Sequence, residues 1–240
     1  MNSLNKTARL AGLLYLIIAI LGPIGILYIP SQLVVPGDAA ATAGKIVASE
    51  TLFRISIASD SIVVLAETVL VVLLYVLFRQ VSGTVSLAAA FSRLGMAVVQ
   101  GVNLLNYGFI LALVGGAGYL AVFQPNEANA LIMLFLDGHQ YGVYVWQLFF
   151  GLHCLLLGYL VYKSGYFPRI LGIVLGVLLV FNAIGYMGNS YVNILVPGNQ
   201  TVSMAASIFL GLGSLGELAF ALWLLIKGVN EPRPANEKAI

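Results

Sequence analysis

The chain has 240 residues, of which 60% are hydrophobic and 8% are charged, with a mean hydropathy of +1.00 and a formal net charge of +2. A soluble domain carries about 25% charged residues, so this composition leaves too few polar side chains for a water-facing surface, and we expect lipid to cover it. The small net charge favours no nucleic-acid partner, and we expect none.

Long apolar runs recur along the chain, separated by short segments rich in Pro, Gly, Asn and charged residues. Because lipid offers the backbone no hydrogen-bond partners, each run of about 20 apolar residues predicts a transmembrane helix. The predicted spans cover residues 10–28, 53–78, 87–113, 140–162, 168–186 and 203–226. We therefore predict an all-α, polytopic membrane bundle of about six helices, forming a single transmembrane domain over residues 1–240.

The first apolar run follows Lys6 and Arg9 and has two interpretations, a retained helix or a cleaved signal peptide. Signal peptides have an apolar region of about 7–15 residues, which this run exceeds, and no small-x-small cleavage site follows it directly. We expect the helix to be retained. Beyond it, Asp38 is a good N-cap and predicts a short interfacial helix that ends near Ser49.

The stretch from Glu127 to Lys163 would be about 55 Å long as one helix, which exceeds a hydrocarbon layer of about 30 Å. We predict a break near Asp137-Gly138, with a short interfacial helix at 128–136 before the fourth span. The alternative is that both parts cross the membrane, giving seven helices, but the outer part has too few apolar residues. After the fifth span, the polar residues from Asn189 onward predict a loop to Gln200.

The distribution of Lys and Arg predicts the orientation of the bundle. With the N-terminus inside, Lys45 and Arg54 fall outside and Arg93 lies within the third span. The other basic residues all fall on the cytoplasmic side: Lys6, Arg9, Arg79, Lys163, Arg169, Lys227, Arg233 and Lys238. This asymmetry requires an even number of spans, places both ends in the cytoplasm and predicts a location in the cytoplasmic (inner) membrane.

Four ionisable residues fall at one depth in the predicted spans. Counted from the cytoplasmic ends of their helices, Glu67, Arg93, His153 and Glu217 lie about 15–18 Å into the membrane, near the midplane. A charge at that depth costs about 2.5–3.5 kcal/mol even on lenient insertion scales, so such residues are expected to face the bundle interior and to pair.

Helical periodicity extends this set. Asp60 shares a stripe with Glu67, and Gln100 and Asn103 lie on the Arg93 side of the third span. In the sixth span, small and polar residues form a stripe that we expect to pack against other helices: Ser203, Ser207, Gly211, Ser214 and Glu217. The candidate intramembrane binding pocket is therefore formed by Asp60, Glu67, Arg93, Gln100, Asn103, His153 and Glu217.

This polar set has three interpretations from the sequence alone. It forms a polar pocket or proton path, with Arg93 balanced by Glu67 or Glu217 and His153 as a titratable neighbour. Alternatively, it is a static pair that fixes helix register. In the third interpretation, one glutamate is simply protonated in its apolar surroundings.

The sequence offers little support for catalysis or for a bound metal. His139 and His153 would lie about 21 Å apart along one helix, too far apart to bind one metal ion or one haem. The adjacent His153 and Cys154 diverge by about 100° and do not form a nucleophile–base pair. No Walker loop, dinucleotide fingerprint or His-Glu-x-x-His motif occurs. We therefore expect no metal, no cofactor and no catalytic residues, and we expect Cys154 to be a buried apolar side chain.

Several segments carry a family resemblance. They are residues 151–160 (GLHCLLLGYL), residues 164–172 (SGYFPRILG), Leu52-Phe53-Arg54 with Asp60, Pro36-Gly37-Asp38, and Gly216-Glu217 before Trp223-Leu224-Leu225. Together they resemble a prokaryotic membrane family catalogued as a domain of unknown function, number four-three-eight-six. The resemblance covers most of the chain. It implies a polytopic helical protein, assigns no activity, cofactor or substrate, and includes Arg54, Asp60, Arg93, His153 and Glu217 in the family's polar pattern.

Three functional hypotheses follow. The first is a small-molecule transporter or an ion- or proton-coupled transporter that uses the mid-membrane polar cluster. The second is a non-catalytic membrane sensor, assembly factor or subunit of a complex, with helix-contacting stripes that bind another membrane protein or a second copy. The third is an intramembrane enzyme acting on lipid or quinone, which ranks last because no nucleophile–base pair is present.

Overall fold

The structure is a computed structural model that describes residues 3–116 and 118–230. Within these ranges it contains helices and connecting turns and no β-strand. Six helices are long and apolar enough to cross a membrane. The prediction of an all-α bundle with six spans is therefore confirmed, and the chain is a multi-pass integral membrane protein.

The described residues form eight α-helices. They are α1 (Ser3–Pro23), α2 (Ile29–Leu33), α3 (Ala39–Ala48), α4 (Glu50–Phe78), α5 (Gly83–Val114), α6 (Pro125–Ser164), α7 (Arg169–Leu195) and α8 (Gln200–Ile226). A π-helical turn, Ile24–Tyr28, joins α1 to α2, so the first span runs continuously from Ser3 to Leu33.

The π-helical turn has a local cause and a packing consequence. Pro30 follows the turn, has no N–H to bond the Ile26 carbonyl and would clash with it, so a regular α-helix cannot continue unchanged through residues 24–28. The π-helical turn brings Gly25 against α4, where an added Cβ would lie 3.2 Å from the Ser56 carbonyl oxygen. The far part of the first span therefore packs on α4.

The short helix α3 begins as the sequence predicts. The Asp38 side chain accepts a hydrogen bond from the Ala41 backbone N–H at 2.8 Å, which satisfies one of the free donors of the first turn. The first turn of α4 carries an exposed ion pair, with Arg54 Nη2 2.6 Å from Glu50 Oε1.

The six spans form a closed ring in which each helix packs against two neighbours. The order is α1, α4, α5, α6, α7, α8 and back to α1. The contact between α1 and α8 depends on Gly12, because a Cβ there would lie 2.5 Å from the Leu225 backbone nitrogen. We call the side with the 79–82 and 165–168 turns the near side, and the side with the 34–38 and 196–199 turns the far side.

The two described chain ends meet on the near side. The Asn5 side-chain oxygen accepts a hydrogen bond from the Val229 backbone N–H at 2.8 Å. The even number of spans fits this contact, whereas the assignment of the near side to the cytoplasm stays a prediction. Two of the basic residues used for that assignment, Arg233 and Lys238, lie outside the described residues.

The predicted break at Asp137-Gly138 is wrong, because α6 continues through it over 40 residues. The neighbouring helix α5 extends alongside this part and packs on it. Phe135 contacts Phe109, with ring centroids 5.0 Å apart. Gly138 faces Asn106, whose Oδ1 would lie 3.0 Å from an added Cβ. The glycine thus permits a close helix contact and does not end the helix.

The predicted loop from Asn189 is also wrong at its start, since α7 continues to Leu195. The polar residues there are bonded to α6. Asn189 Nδ2 donates to Gln147 Oε1 at 2.9 Å, and Ser190 Oγ donates to the Tyr144 carbonyl at 2.8 Å. A polar segment extends the helix because the adjacent helix satisfies its side chains.

The small-residue stripe predicted to pack α8 lies mostly outside the helix contacts. Ser207, Gly211 and Ser214 are exposed and Ser203 is half-buried. The packing face of α8 instead contains Gly213, whose added Cβ would collide with Asn182 of α7, and Gly216, which lies against Leu178. Small residues do mediate the contact, as expected, but on a face rotated away from the predicted stripe.

Candidate functional site

Arg93 lies in the interior of the ring with no exposed surface. Its Nε donates to Glu67 Oε2 at 2.5 Å, and its Nη1 donates to the Tyr15 hydroxyl at 3.0 Å and contacts His153 Nε2 at 2.9 Å. The guanidinium carbon also lies 4.8 Å from the centre of the Tyr15 ring and 5.2 Å from that of Phe150. Four helices therefore hold this cation, and Glu67 is the carboxylate that balances it.

The contacts of His153 define its tautomer. Its Nδ1 lies 2.8 Å from the Ala89 carbonyl oxygen, which can only accept, so Nδ1 carries the proton. Its Nε2 is then the acceptor for Arg93 Nη1. A second proton on the ring would remove this acceptor and place two cations side by side. His153 is thus a neutral acceptor that orients the guanidinium.

Glu217 and Asn182 form a second contact in the same region. Asn182 Nδ2 donates to Glu217 Oε2 at 2.9 Å and lies 3.9 Å from Cys154 Sγ. Asn182 has no exposed surface, whereas Glu217 is partly exposed. Because Cys154 follows His153 in the chain, the contact with Cys154 places this pair beside the Arg93 cluster, and Glu217 interacts electrostatically with Arg93 and Glu67.

These contacts bring one polar side chain from every span into a single buried region, which we call the central layer. Its members, in chain order from α1 to α8, are Tyr15, Glu67, Arg93, His153, Asn182 and Glu217. The four ionisable residues predicted from depth are all members. Tyr15 and Asn182 were missed because the depth count considered only Asp, Glu, Lys, Arg and His in the membrane interior.

Two polar atoms of the central layer make no hydrogen bond with any described residue. They are Arg93 Nη2 and Asn182 Oδ1, and both are buried. A buried donor or acceptor without a partner costs about 1–3 kcal/mol, and more when the group is charged. The central layer therefore has unused hydrogen-bonding capacity at its one cation and at its one amide.

The other three predicted site residues lie elsewhere, in a second cluster that we call the distal layer. Gln100 Nε2 donates to Asp60 Oδ1 at 3.0 Å, and Asn103 Nδ2 donates to the His139 carbonyl at 2.9 Å. His139 Nε2 lies 3.9 Å from Asp60 Oδ2, and its ring stacks on Tyr107 at a centroid distance of 3.9 Å. The seven predicted pocket residues thus divide between two layers.

The distance between the layers follows from the sequence. Asp60 precedes Glu67 by seven residues, and Gln100 follows Arg93 by seven, so two helical turns, or about 10 Å, separate them. Residues seven apart stay on one face when helices pack at a shallow angle. Both layers therefore face the interior.

A small cavity adjoins the central layer on its near side. This cavity, beside His153, has a volume of about 10 Å³ available to the centre of a water molecule. Its walls are mainly apolar and include Val71, Leu74, Phe78 and Leu157. That volume is near the minimum for one water, so the central layer is closed to solutes on this side.

The arrangement offers no evident metal site in the parts of the chain that the structure describes. No group of three His, Cys, Asp or Glu side chains is placed there to hold a metal ion. Cys154 is buried and its nearest polar contact is the Asn182 amide. The chemistry available to the central layer is therefore hydrogen bonding, ion pairing and proton binding.

Comparison with known proteins places this arrangement in a family. Over 173 residues the chain is 28% identical to an uncharacterized protein of Archaeoglobus fulgidus, an alignment that covers 72% of this chain and 83% of that protein. No solved structure matches the chain. The family model described as "Domain of unknown function (DUF4386)" matches residues 10–228, which include both polar layers and all of the spans except the start of the first. The chain belongs to this DUF4386 family.

Proposed function

We propose that the protein is a small-solute permease of the cytoplasmic membrane and that the central layer is its substrate and coupling site. The observation that carries the proposal is the convergence of one polar side chain from each of the six spans on one buried region. Polar groups at mid-membrane between helices are typical of transporter sites, because helices can then move around a fixed site.

The unused hydrogen-bonding groups favour a binding site over a static packing cluster. A network selected only for stability would leave no guanidinium donor unpaired in an apolar interior. Here Arg93 Nη2 and Asn182 Oδ1 have no protein partner among the described residues. Glu217 contacts an amide in place of a cation. A polar solute bound between these groups would satisfy all three.

The closure of the near side is consistent with an occluded state of a carrier. The contacts between α1 and α8 that close the ring lie at Gly12 against Leu225 and at Tyr15 against Phe220. Beyond Pro23, the first span turns onto α4. We propose that α1 and α8 separate on the far side, where exposed Ser207 and Ser214 lead along α8 toward Glu217.

The basic residues support the orientation of the permease. Arg9, Arg79, Lys163 and Arg169 all lie at near-side helix ends, which the positive-inside tendency assigns to the cytoplasm. The proposed far-side opening then faces away from the cytoplasm.

Flux measurements with purified protein in liposomes test the proposal. Uptake of a panel of radiolabelled amino acids, sugars, organic acids and nucleobases is measured with and without an imposed pH gradient. We expect saturable uptake of one class, reduced about tenfold or more in Glu217→Gln, since the neutral amide removes the charged contact of Glu217 with the solute, which is worth about 1.4 kcal/mol or more. The matched control is Glu50→Gln, which removes an exposed carboxylate.

A second candidate function is a non-catalytic component of a membrane complex. The observation that favours it is the tight closure around His153, where only about 10 Å³ is open. In that case no member of the panel is transported, Glu217→Gln and the wild type behave alike, and affinity purification from membranes yields one stoichiometric membrane-protein partner.

A further inference from the structure

The central layer contains more acidic groups than basic ones. Arg93 is its one guanidinium, and Glu67 contacts that guanidinium directly through Nε. His153 is held as a neutral acceptor by the Ala89 carbonyl and by Arg93. Glu217 is a second carboxyl group for which the layer supplies no second cation. An ionised Glu217 would leave a net negative charge at mid-membrane, which is costly.

The contact between Glu217 and Asn182 has the donor and acceptor pattern of an acid–amide pair. The amide Nδ2 already donates to Glu217 Oε2 at 2.9 Å. The amide Oδ1 is buried and accepts from no described residue. A protonated carboxyl group has one oxygen that accepts and one O–H that donates, which matches the two ends of the amide. An ionised carboxylate has no donor for Asn182 Oδ1.

We propose that Glu217 with Asn182 is a proton-binding site and that it holds the coupling proton of the permease. The ligand is H⁺, delivered by hydronium and released to water. On release, the O–H bond of Glu217 breaks, its electron pair stays on the carboxylate, and a water molecule takes the proton. The coupling role rests on the proposed function, whereas proton binding at Glu217 does not require a solute.

The structure supplies a partner for the ionised form. Arg93 Nη2 is a buried donor without an acceptor among the described residues, and Arg93 interacts electrostatically with Glu217. Once Glu217 loses its proton, its carboxylate is attracted by the positive charge of Arg93. The titratable and polar groups around Glu217 come from all five other spans: Tyr15 of α1, Glu67 of α4, Arg93 of α5, Cys154 of α6, and Asn182 and Tyr186 of α7.

Glu217 is the member of the central layer that lies nearest the outside of the ring. The other five members of the central layer expose 3% of their surface or less, whereas Glu217 is partly exposed. Ser214, one turn earlier on α8, is exposed as well. Water that enters through the proposed far-side opening between α1 and α8 would therefore reach Glu217 while the Arg93 cluster stays closed.

Infrared difference spectroscopy tests the proton site without any solute. Wild-type protein in liposomes is titrated from acid to alkaline pH, and the carbonyl band of a protonated carboxylic acid is followed in H₂O and D₂O. We expect a deuterium-sensitive band that is present at neutral pH, disappears at alkaline pH and is absent from Glu217→Gln. The control Glu50→Gln, an exposed carboxylate, retains the band.

The Gln variant is suited to this test because its amide can accept from Asn182 Nδ2 and donate to Asn182 Oδ1, so it mimics the protonated form. An identical band in wild type and Glu217→Gln would overturn the inference. So would solute uptake by Glu217→Gln that still depends on a pH gradient, an outcome that leaves the permease intact. A band that depends on Glu217 in a protein without flux would support proton binding and contradict the permease.

Discussion

The central layer and the distal layer use similar side chains at the same helical spacing, yet they hold them differently. In the central layer a guanidinium with no exposed surface is bonded to groups from three other helices. In the distal layer Asp60 accepts from an amide, and His139 stays 3.9 Å away from it. A fixed charge at mid-membrane thus requires partners from around the ring, whereas an amide contact between two helices suffices for Asp60 nearer the far side.

The largest expected effect comes from removing the cation of the central layer. Arg93→Met leaves Glu67 buried without its partner, and we expect a loss of about 3–5 kcal/mol in the free energy of unfolding. Denaturant unfolding in detergent micelles measures it. The double variant Arg93→Met with Glu67→Leu should recover most of the loss, because no unpaired charge remains.

The matched control for this loss is Arg54→Met. Arg54 also pairs with a glutamate, but its side chain is 60% exposed, so its pair contributes about 1 kcal/mol or less. Equal losses for Arg93→Met and Arg54→Met would show that the central ion pair is not buried as described.

In the distal layer we expect a smaller effect. Gln100→Leu removes the donor to Asp60 Oδ1 and should lower the free energy of unfolding by about 1–3 kcal/mol, the cost of an unsatisfied buried acceptor. The same unfolding assay measures it. A loss as large as that of Arg93→Met would mean that the two layers are equally dependent on charge.

Two glycines on α8 allow a test of how much the close packing of α7 and α8 contributes to stability at the central layer. Gly213 lies against the backbone of Asn182, whereas Gly211 has no atom near its added Cβ. Gly213→Ala should cost about 1–3 kcal/mol through overpacking. Gly211→Ala should be neutral or stabilise by up to about 1 kcal/mol through helix propensity. Thermal unfolding of both variants measures the difference, and similar shifts would contradict the α7–α8 contact.

The smallest expected effect is that of Tyr15→Phe. The substitution removes the hydroxyl that accepts from Arg93 Nη1 and keeps the ring that packs on the guanidinium. We expect a loss of about 0.5–1.5 kcal/mol by thermal unfolding. An effect larger than that of Gly213→Ala would indicate that the hydroxyl, and not the ring, holds the cation.

Much of this arrangement could be predicted from the sequence, because the depth of a residue in the membrane follows from its distance along the helix to the charged helix end. Counting turns from the charged helix ends placed Glu67, Arg93, His153 and Glu217 together. Depth cannot choose between Glu67 and Glu217 as the partner of Arg93, since that choice depends on how each helix is rotated. The structure shows that Glu67 is the partner.

The sequence predictions that failed did so where a neighbouring helix decides local structure. Asp137-Gly138 is typical of a helix end, but α5 extends alongside α6 there and packs on it, so α6 continues. Asn189 reads as a loop, but Gln147 accepts its amide and the helix continues. Asn182 went unnoticed because a single uncharged amide in an apolar run is compatible with packing alone, and its partner lies on another helix.

The spans converge on a buried central layer that is separate from the distal layer. The most direct test is a double-mutant cycle on Arg93. The free energy of unfolding is measured for three single variants, Arg93→Gln, Glu67→Gln and Asp60→Asn. It is also measured for the two double variants that combine Arg93→Gln with Glu67→Gln or with Asp60→Asn. These values give one coupling energy for each pair. We expect a coupling of about 1–3 kcal/mol between Arg93 and Glu67, and less than about 0.5 kcal/mol between Arg93 and Asp60. Equal couplings, or none between Arg93 and Glu67, would contradict this arrangement.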